Sequence, residues 1–261
     1  MLTKIYMLTS NQIKEFSKSL KINESVVVRE YIQTLFLKEL YDEKYSQNIF
    51  FKGGTAIRLI FSGTRFSEDL DFTVNADEVD FLIFINKFFK KLEKQYSFSF
   101  KKRKTITGIK YLLTADLKSV EYKIFVNLDF SFREKIMKPT KSTISTNYPI
   151  IFTSFINHLS GDEIVAEKVR AIMTREKGRD IYDLWFLLNK NILIDNNLVE
   201  EKLKYYDISK FEKEKLIEKI NKFSIEKFIL DLRPFVPINE REKLADFFDY
   251  TISYLQNKLT S

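Results

Sequence analysis

The segment Phe50 to Val74, FFKGGTAIRLIFSGTRFSEDLDFTV, restricts the fold more than any other part of the chain, because Gly53-Gly54 and Asp69-Leu70-Asp71 interrupt its apolar runs. A strand ending in Gly-Gly can turn with positive φ and bring bare backbone close to a ligand, and Thr55 is placed to cap the short helix that follows. Unpaired N–H groups at a helix start favour an anion, and a glycine pair lacks the Cβ that would block a triphosphate. Glycine at such a turn also serves packing alone. In a strand, residues i and i+2 project to one face, so Asp69 and Asp71 converge while Leu70 and Phe72 point into the core. Two carboxylates side by side on a rigid strand repel unless a cation sits between them. Hard oxygen ligands suit Mg²⁺, with Mn²⁺ able to replace it. An edge strand with incidental acids would carry the same letters.

A two-metal phosphoryl-transfer site asks for a further carboxylate on a neighbouring strand. In KIFVNLDF, alternation puts Asn127 and Asp129 on one face and Ile124, Val126 and Leu128 on the other, so Asp129 either completes the metal set or caps a turn. Upstream, Arg65 can neutralise triphosphate charge or hold Glu68. Ser67 falls on the face of the metal ligands if the strand begins there, binding phosphate or serving as a turn serine.

Composition removes other chemistries. The chain has no cysteine and a single histidine, His158, which leaves no disulfide framework and no Cys/His zinc site. Triad catalysis would have to rest on that one histidine. No apolar run approaches the roughly 20 residues needed to span a bilayer. The opening MLTKIYMLTSNQIKEF is too polar too soon for a signal peptide. A cytoplasmic protein with no membrane partner is expected. The 43 Lys+Arg against 36 Asp+Glu give a formal charge of +7, which favours polyanionic partners.

No repeat or Pro/Gly-rich linker divides the chain, so organisation is read from hydrophobic period. An N-terminal helix opens after Asn23 with Val27, Tyr31, Leu35 and Leu40 at helical spacing. Residues 48 to 157 alternate strands (NIFFK, LDFTV, KYLLTA, YKIFVNLDF) with a short helix after the glycines and another near 77 to 95. From 158 the pattern is helical. Ser160-x-x-Glu163 forms a capping box before EIVAEKVRAIMTR, and a second helix lies near 179 to 190. The expected units are residues 1–157, N-terminal helices plus an α/β core, and 158–261, a helical domain.

On the first of these C-terminal helices Ile164, Lys168 and Ile172 form an i, i+4 row, which sets the lysine beside the apolar stripe. Such a lysine snorkels, or reaches phosphate oxygens if a triphosphate site is adjacent. Arg170 points elsewhere, as a structural or tail-binding cation. In RDIYDLWFLL, Asp180 and Asp183 share a face and Arg179 can pair with Asp183. Asp183, among apolar neighbours, needs a cation, and Lys168 is the obvious partner, either in catalysis or as a buried ion pair fastening two helices. Asp180 can act as an N-terminal dipole partner. The run Lys101-Lys102-Arg103-Lys104 is an RNA contact or a solvated turn. Trp185 and the phenylalanines read as core.

Taken together, Gly53-Gly54-Thr55, Arg65, Ser67-Glu68-Asp69-Leu70-Asp71-Phe72, Glu167-Lys168-Val169-Arg170 and Arg179-Asp180-Ile181-Tyr182-Asp183-Leu184 resemble the AbiEii/AbiGii toxin family of nucleotidyltransferases, which includes the MenT toxins. The likeness runs from about residue 24 to 190. It implies an α+β protein: a polymerase-β-like core with a mixed sheet, an N-terminal helix and a helical C-terminal half. It also implies a toxin that transfers NMP from an NTP to an acceptor, with the 3′ end of tRNA as the expected target, and that has a cognate antitoxin in a toxin–antitoxin or phage-abortive system. The implied catalytic residues are Asp69, Asp71, Asp129, Lys168 and Asp183, the three aspartates on β-strands holding Mg²⁺. The implied nucleotide-binding residues are Gly53, Gly54, Thr55, Arg65, Ser67, Lys168 and Asp180. A protein side chain or small-molecule hydroxyl is an alternative acceptor. A non-catalytic nucleotide- or RNA-binding module is the rival of another class, though binding alone has no use for carboxylates that repel one another in a pocket.

Overall fold

The computed structural model describes residues 7–260. Residues 1–6, which begin the stretch read above as too polar for a signal peptide, and residue 261 lie outside the described residues. Helix α1 (Ser10–Leu20) starts at a Thr9/Gln12 capping box that the reading of the sequence passed over. Helix α2 (Glu24–Tyr41) begins after Asn23 as expected, but the asparagine side chain makes no cap bond, and its main-chain oxygen accepts from Val26 and Val27 instead. Val27, Tyr31, Leu35 and Leu40 are fully buried. So is most of the rest of α2, because it is walled in on several sides: Phe36 meets Phe88, Phe89 and Phe100, while Tyr31 meets Tyr148 edge-on.

The strands are β1 (Ile49–Lys52), β2 (Asp69–Val74), β3 (Phe98–Arg103), β4 (Ile109–Ala115), β5 (Ile124–Ser131), β6 (Pro139–Ser142) and β7 (Ile156–Leu159). They form one mixed sheet in the order β3-β4-β5-β2-β1-β7-β6, parallel at β2/β5 and β1/β7 and antiparallel elsewhere. Strand β7 spans the division expected after residue 157. Helix α3 (Gly53–Ile60) follows the glycine turn, and α4 (Glu78–Gln95) is capped by Asp77, whose carboxylate accepts from Val79 and Asp80. One face of the sheet packs against α2 and α4. There Phe72 stacks on Phe130 with ring centroids 5.0 Å apart, and Phe81 tilts against Phe130. The strict alternation of β4 and β5 sends Leu113, Val126, Leu128 and Phe130 to this core and leaves the opposite face for polar work.

The C-terminal half is helical: α5 (Gly161–Thr174), α6 (Gly178–Asn189), α7 (Asn196–Lys204), α8 (Lys213–Asn221), α9 (Ile225–Leu232) and α10 (Leu244–Thr260). Half of the expected capping box at α5 is present. Ser160 Oγ accepts from the Glu163 amide, but the Glu163 carboxylate turns away to accept from the Met137 and Lys138 amides and to pair with Lys202 at 2.7 Å. The architecture is the expected α+β one, a mixed sheet with N-terminal helices and a helical C-terminal half. Among the described residues no helix is long and apolar enough to cross a membrane. Since Phe72 and Phe130 join the site strands to the core, Phe72→Ala should cost about 3–5 kcal/mol. Urea denaturation measures it, and a midpoint matching the unsubstituted protein would contradict this packing.

Candidate active site

Strand register builds the site. Lys52 lies opposite Asp71, Asp71 opposite Asp129, Asp129 opposite Lys110, and Lys110 opposite Arg103. Residues directly opposite share a face, so Arg103, Lys110, Asp129, Asp71 and Lys52 form one charged row across the strands β3, β4, β5, β2 and β1. Asp69 sits one same-face step along β2, opposite Asn127, whose amide donates to it at 2.8 Å. Lys110 Nζ approaches Asp129 Oδ2 at 2.5 Å. Asp71 is pushed up to about 7 by burial, and the Asp69 and Asp129 carboxylates add to the shift. Burial also raises Asp69, against the bond from Asn127. The region is therefore short of positive charge at its centre. Its donors are the hard oxygens that suit Mg²⁺. Among the described residues no group of three or more carboxylate or imidazole side chains is gathered closely enough to hold an ion; Asn127 engages Asp69 and Lys110 engages Asp129.

Two cavities meet at these carboxylates. One, of about 310 Å³, is lined by Asp69, Asp71, Arg103, Lys110, Asn127 and Asp129. The other, of about 260 Å³, runs from Gly53, Asp71 and Asp129 to Lys168, Arg170 and Arg175, with Lys52, Arg133 and Tyr206 also on its wall. Cations outnumber carboxylates along this second wall. Tyr206 is flanked by the guanidinium of Arg133 at 4.1 Å and that of Arg170 at 4.6 Å, and the buried Nε of Arg170 has no hydrogen-bond partner.

The glycine turn is sterically tied to the acids. Gly53 has φ +78°, and a Cβ there would fall 2.2 Å from Asp71 Oδ2, while one on Gly54 would fall 2.6 Å from Arg65 Nη2 and 2.9 Å from Ser67 Oγ. Thr55 lies inside α3, whose cap position is Lys52, and its hydroxyl donates to the Asp69 carbonyl. It thus fastens α3 to the start of β2 and does not cap the helix. Ser67 is held from behind, its carbonyl accepting from Gln33 of α2 at 3.2 Å.

Arg65 binds neither Glu68 nor open space. Its Nε and Nη2 each donate to Asp183 at 2.6 Å, and Glu68 is taken by Arg179 at 3.0 Å in place of the expected Arg179–Asp183 pair. Lys168 completes the cluster, 2.8 Å from Asp183 and 3.0 Å from Asp180, and Arg175 clasps Asp180. Burial alone would raise Asp183 and Asp180. Arg65 and Lys168 for the one, and Lys168 and Arg175 for the other, outweigh it and hold both below the usual carboxylate range. The structure thus brings Gly53, Asp69, Asp71, Asp129 and Lys168 to the cavities, and sets Gly54, Thr55, Arg65, Ser67, Asp180 and Asp183 behind them.

A second buried cluster joins the sheet to α5 and α7. Lys52 pairs with Glu167 at 2.9 Å, and Lys202 with Glu163 at 2.7 Å and Glu134 at 3.5 Å. Burial opposes the charge on Lys52, but Glu167 and Glu134 overcome it and raise its pKa. Lys52, Lys110, Arg133, Arg175 and Tyr206 were not singled out in the sequence. Only Lys52 carried a local signal, a cation closing an apolar strand at the glycine turn. His158 is a buried strand residue with Nδ1 against the Leu159 carbonyl and Nε2 against Ser142 Oγ.

A sequence model described as "Nucleotidyl transferase AbiEii toxin, Type IV TA system" matches residues 35–251. The chain belongs to this family. As an AbiEii protein it is a nucleotidyltransferase. No curated protein matches the sequence. Among solved structures it is similar to MenT4, a nucleotidyltransferase toxin from Mycobacterium tuberculosis, at 18% identity over 95% of this chain and 90% of that one, with a TM-score of 0.66. It is also similar to JHP933 from Helicobacter pylori, at 18% identity over 92% of this chain and 95% of that one, with a TM-score of 0.56. At these identities the likeness concerns the fold, which the AbiEii chain shares over nearly its whole length.

Asp183 joins two cations from distant parts of this AbiEii chain, so Asp183→Asn should cost about 3–5 kcal/mol by leaving Arg65 and Lys168 undercompensated. Its folded pKa is depressed. Its contribution is therefore complete above the unfolded value of about 3.9 and is lost as pH falls through the folded one. Urea midpoints measured across acid pH should fall less steeply for Asp183→Asn than for the unsubstituted protein. Parallel profiles would remove Asp183 from the stabilising cluster.

Proposed function

We propose that this nucleotidyltransferase transfers NMP from an NTP to an RNA hydroxyl, with the 3′ end of tRNA as acceptor, and so acts in the cytoplasm as a translation-blocking toxin held in check by a cognate antitoxin. The observation that carries the reading is the junction of two cavities at Asp69, Asp71 and Asp129, one bordered by the Gly53 turn and a wall of cations. That wall suits a triphosphate. The other cavity opens between Arg103, Lys110 and Asn127 and suits the acceptor.

In this reading the acceptor oxygen forms a bond to the α-phosphorus as the bond to the bridging oxygen breaks. Pyrophosphate leaves, and the hydroxyl proton passes to a site carboxylate. Lys168, Arg170 and Arg175 take the negative charge of the departing phosphates, and the glycine turn lets the chain approach them without a Cβ. Arg65, Asp180 and Asp183 hold Lys168 and Arg175 in position. Asp69, Asp71 and Asp129 would hold Mg²⁺, or Mn²⁺ in its place, which supplies charge neutralisation at the reacting phosphate and lowers the pKa of the attacking hydroxyl. Family membership supports the reaction class, and the positive net charge supports an RNA acceptor over a protein side chain or small molecule.

Asp71→Asn and Asp69→Asn should each abolish transfer while leaving the fold intact, because each removes a metal-binding charge and relieves repulsion among the acids. Their thermal stability should equal or exceed that of the unsubstituted protein. Incubation with each α-labelled NTP, total RNA and Mg²⁺ tests both points. Label is expected in a small RNA species, released pyrophosphate should match it, and chelator should stop it. Near-normal transfer by either variant would overturn the carboxylate assignment, and label confined to protein would overturn the RNA acceptor.

A further inference from the structure

We infer that the open face of β3, β4 and β5 is the platform for single-stranded RNA, on which Phe125 stacks a base upstream of the reacting end. Of the chain's 25 phenylalanines, Phe125 and Phe155 are the exposed ones, and Phe125 is 48% exposed near the start of β5, so about half of an apolar ring is left facing water. Alternation fixes its direction. Ile124 and Val126 are buried against the helices, so Phe125 shares the other face with Asn127 and Asp129. At about 3.4 Å per residue, Phe125 lies about 14 Å along the strand from Asp129, with Asn127 between them.

The surroundings match a flexible polyanion with flat bases. Register places Leu112 beside Asn127 and Lys101 beside Leu112, while Arg103 and Lys110 border the acceptor cavity one same-face step away. Phe125 itself lies beside Thr114, and Thr114 beside Ser99; Lys101 and Arg103 are exposed and Lys110 half-buried, so cations lie one and two same-face steps from the ring on the way to the carboxylates. An aromatic ring gives stacking energy indifferent to base identity, and neighbouring cations track the phosphates. The β3 edge also keeps its outer backbone unpaired, and its lysines discourage another strand from adding there, which leaves the face free for a nucleic acid.

This inference rests on the RNA-acceptor reading, and the test separates the two. The full chain and its Phe125→Ala and Phe125→Trp variants are titrated against a short fluorescein-labelled single-stranded RNA, with NTP affinity and thermal melting measured in parallel. Phe125→Ala should weaken RNA binding about 10-fold and raise the acceptor KM by a similar factor, with NTP affinity and melting temperature unchanged. Phe125→Trp should restore binding. If the unsubstituted protein binds and labels RNA and Phe125→Ala does so equally well, the platform is overturned and the RNA reading stands. If the unsubstituted protein neither binds nor labels RNA, both are overturned.

Discussion

The repulsion between Asp71 and Asp129, set side by side by parallel pairing, is the constraint around which the remaining site is arranged. Two carboxylates on adjacent strands would spread the sheet if nothing offset them, and the row supplies the offset on either side of the pair: Lys110 against Asp129, and Lys52 beyond Asp71. Asp69 adds to the repulsion felt by Asp71, but its directly opposite neighbour is Asn127, a neutral donor that lowers its pKa against burial. Burial keeps Asp71 poorly solvated. The acids are thus tolerated, and the centre of the row remains the place where a cation is most favoured.

That arrangement makes the helical half necessary. Lys52 cannot be buried alone, and Glu167 on α5 and Glu134 after β5 compensate it, with Lys202 of α7 balancing those acids in turn. The cluster around Asp183 repeats the pattern farther along α5 and α6. It draws Arg65 from the loop before β2, so that the strand bearing two acids is anchored at its entrance by a guanidinium. Breaking either cluster would strand charges in low dielectric, and this ties the geometry of the site to the global fold. A hydrophobic joint between sheet and helices could be as stable, but it would not carry cations to the cavity wall.

The parts legible in the sequence were those governed by local period. Alternation put Asp69 and Asp71 on one face of LDFTV and Asn127 and Asp129 on one face of NLDF, the glycine turn announced itself, and Ser160 marked the start of α5, whereas the face common to all three acids needed the β2/β5 register. Local rules failed where partners were far apart. Arg65 and Asp183 are 118 positions apart, and the i, i+4 rule offered Arg179 in place of Arg65. Lys110 became part of the site only through the β4/β5 register, which loop lengths do not reveal, and Arg133, Arg175 and Tyr206 stand in connecting segments with no period to read. Thr55 shows a subtler limit: a residue type that suits a cap spends its hydroxyl on the Asp69 carbonyl one strand away.

Tyr206, between Arg133 and Arg170, bears on how the cavity would answer an arriving polyanion. Long cationic side chains on a surface usually lose much of their rotamer freedom when they bind, and the ligand's affinity falls accordingly. Here an aromatic ring already occupies a face of each guanidinium, while Arg133 also donates to the Tyr205 carbonyl and Arg170 faces Glu134, so much of the ordering is completed as the chain folds. Association would then proceed with little induced rearrangement of the wall. The reorganisation left over would fall on Lys110, whose ammonium is held against Asp129 at 2.5 Å.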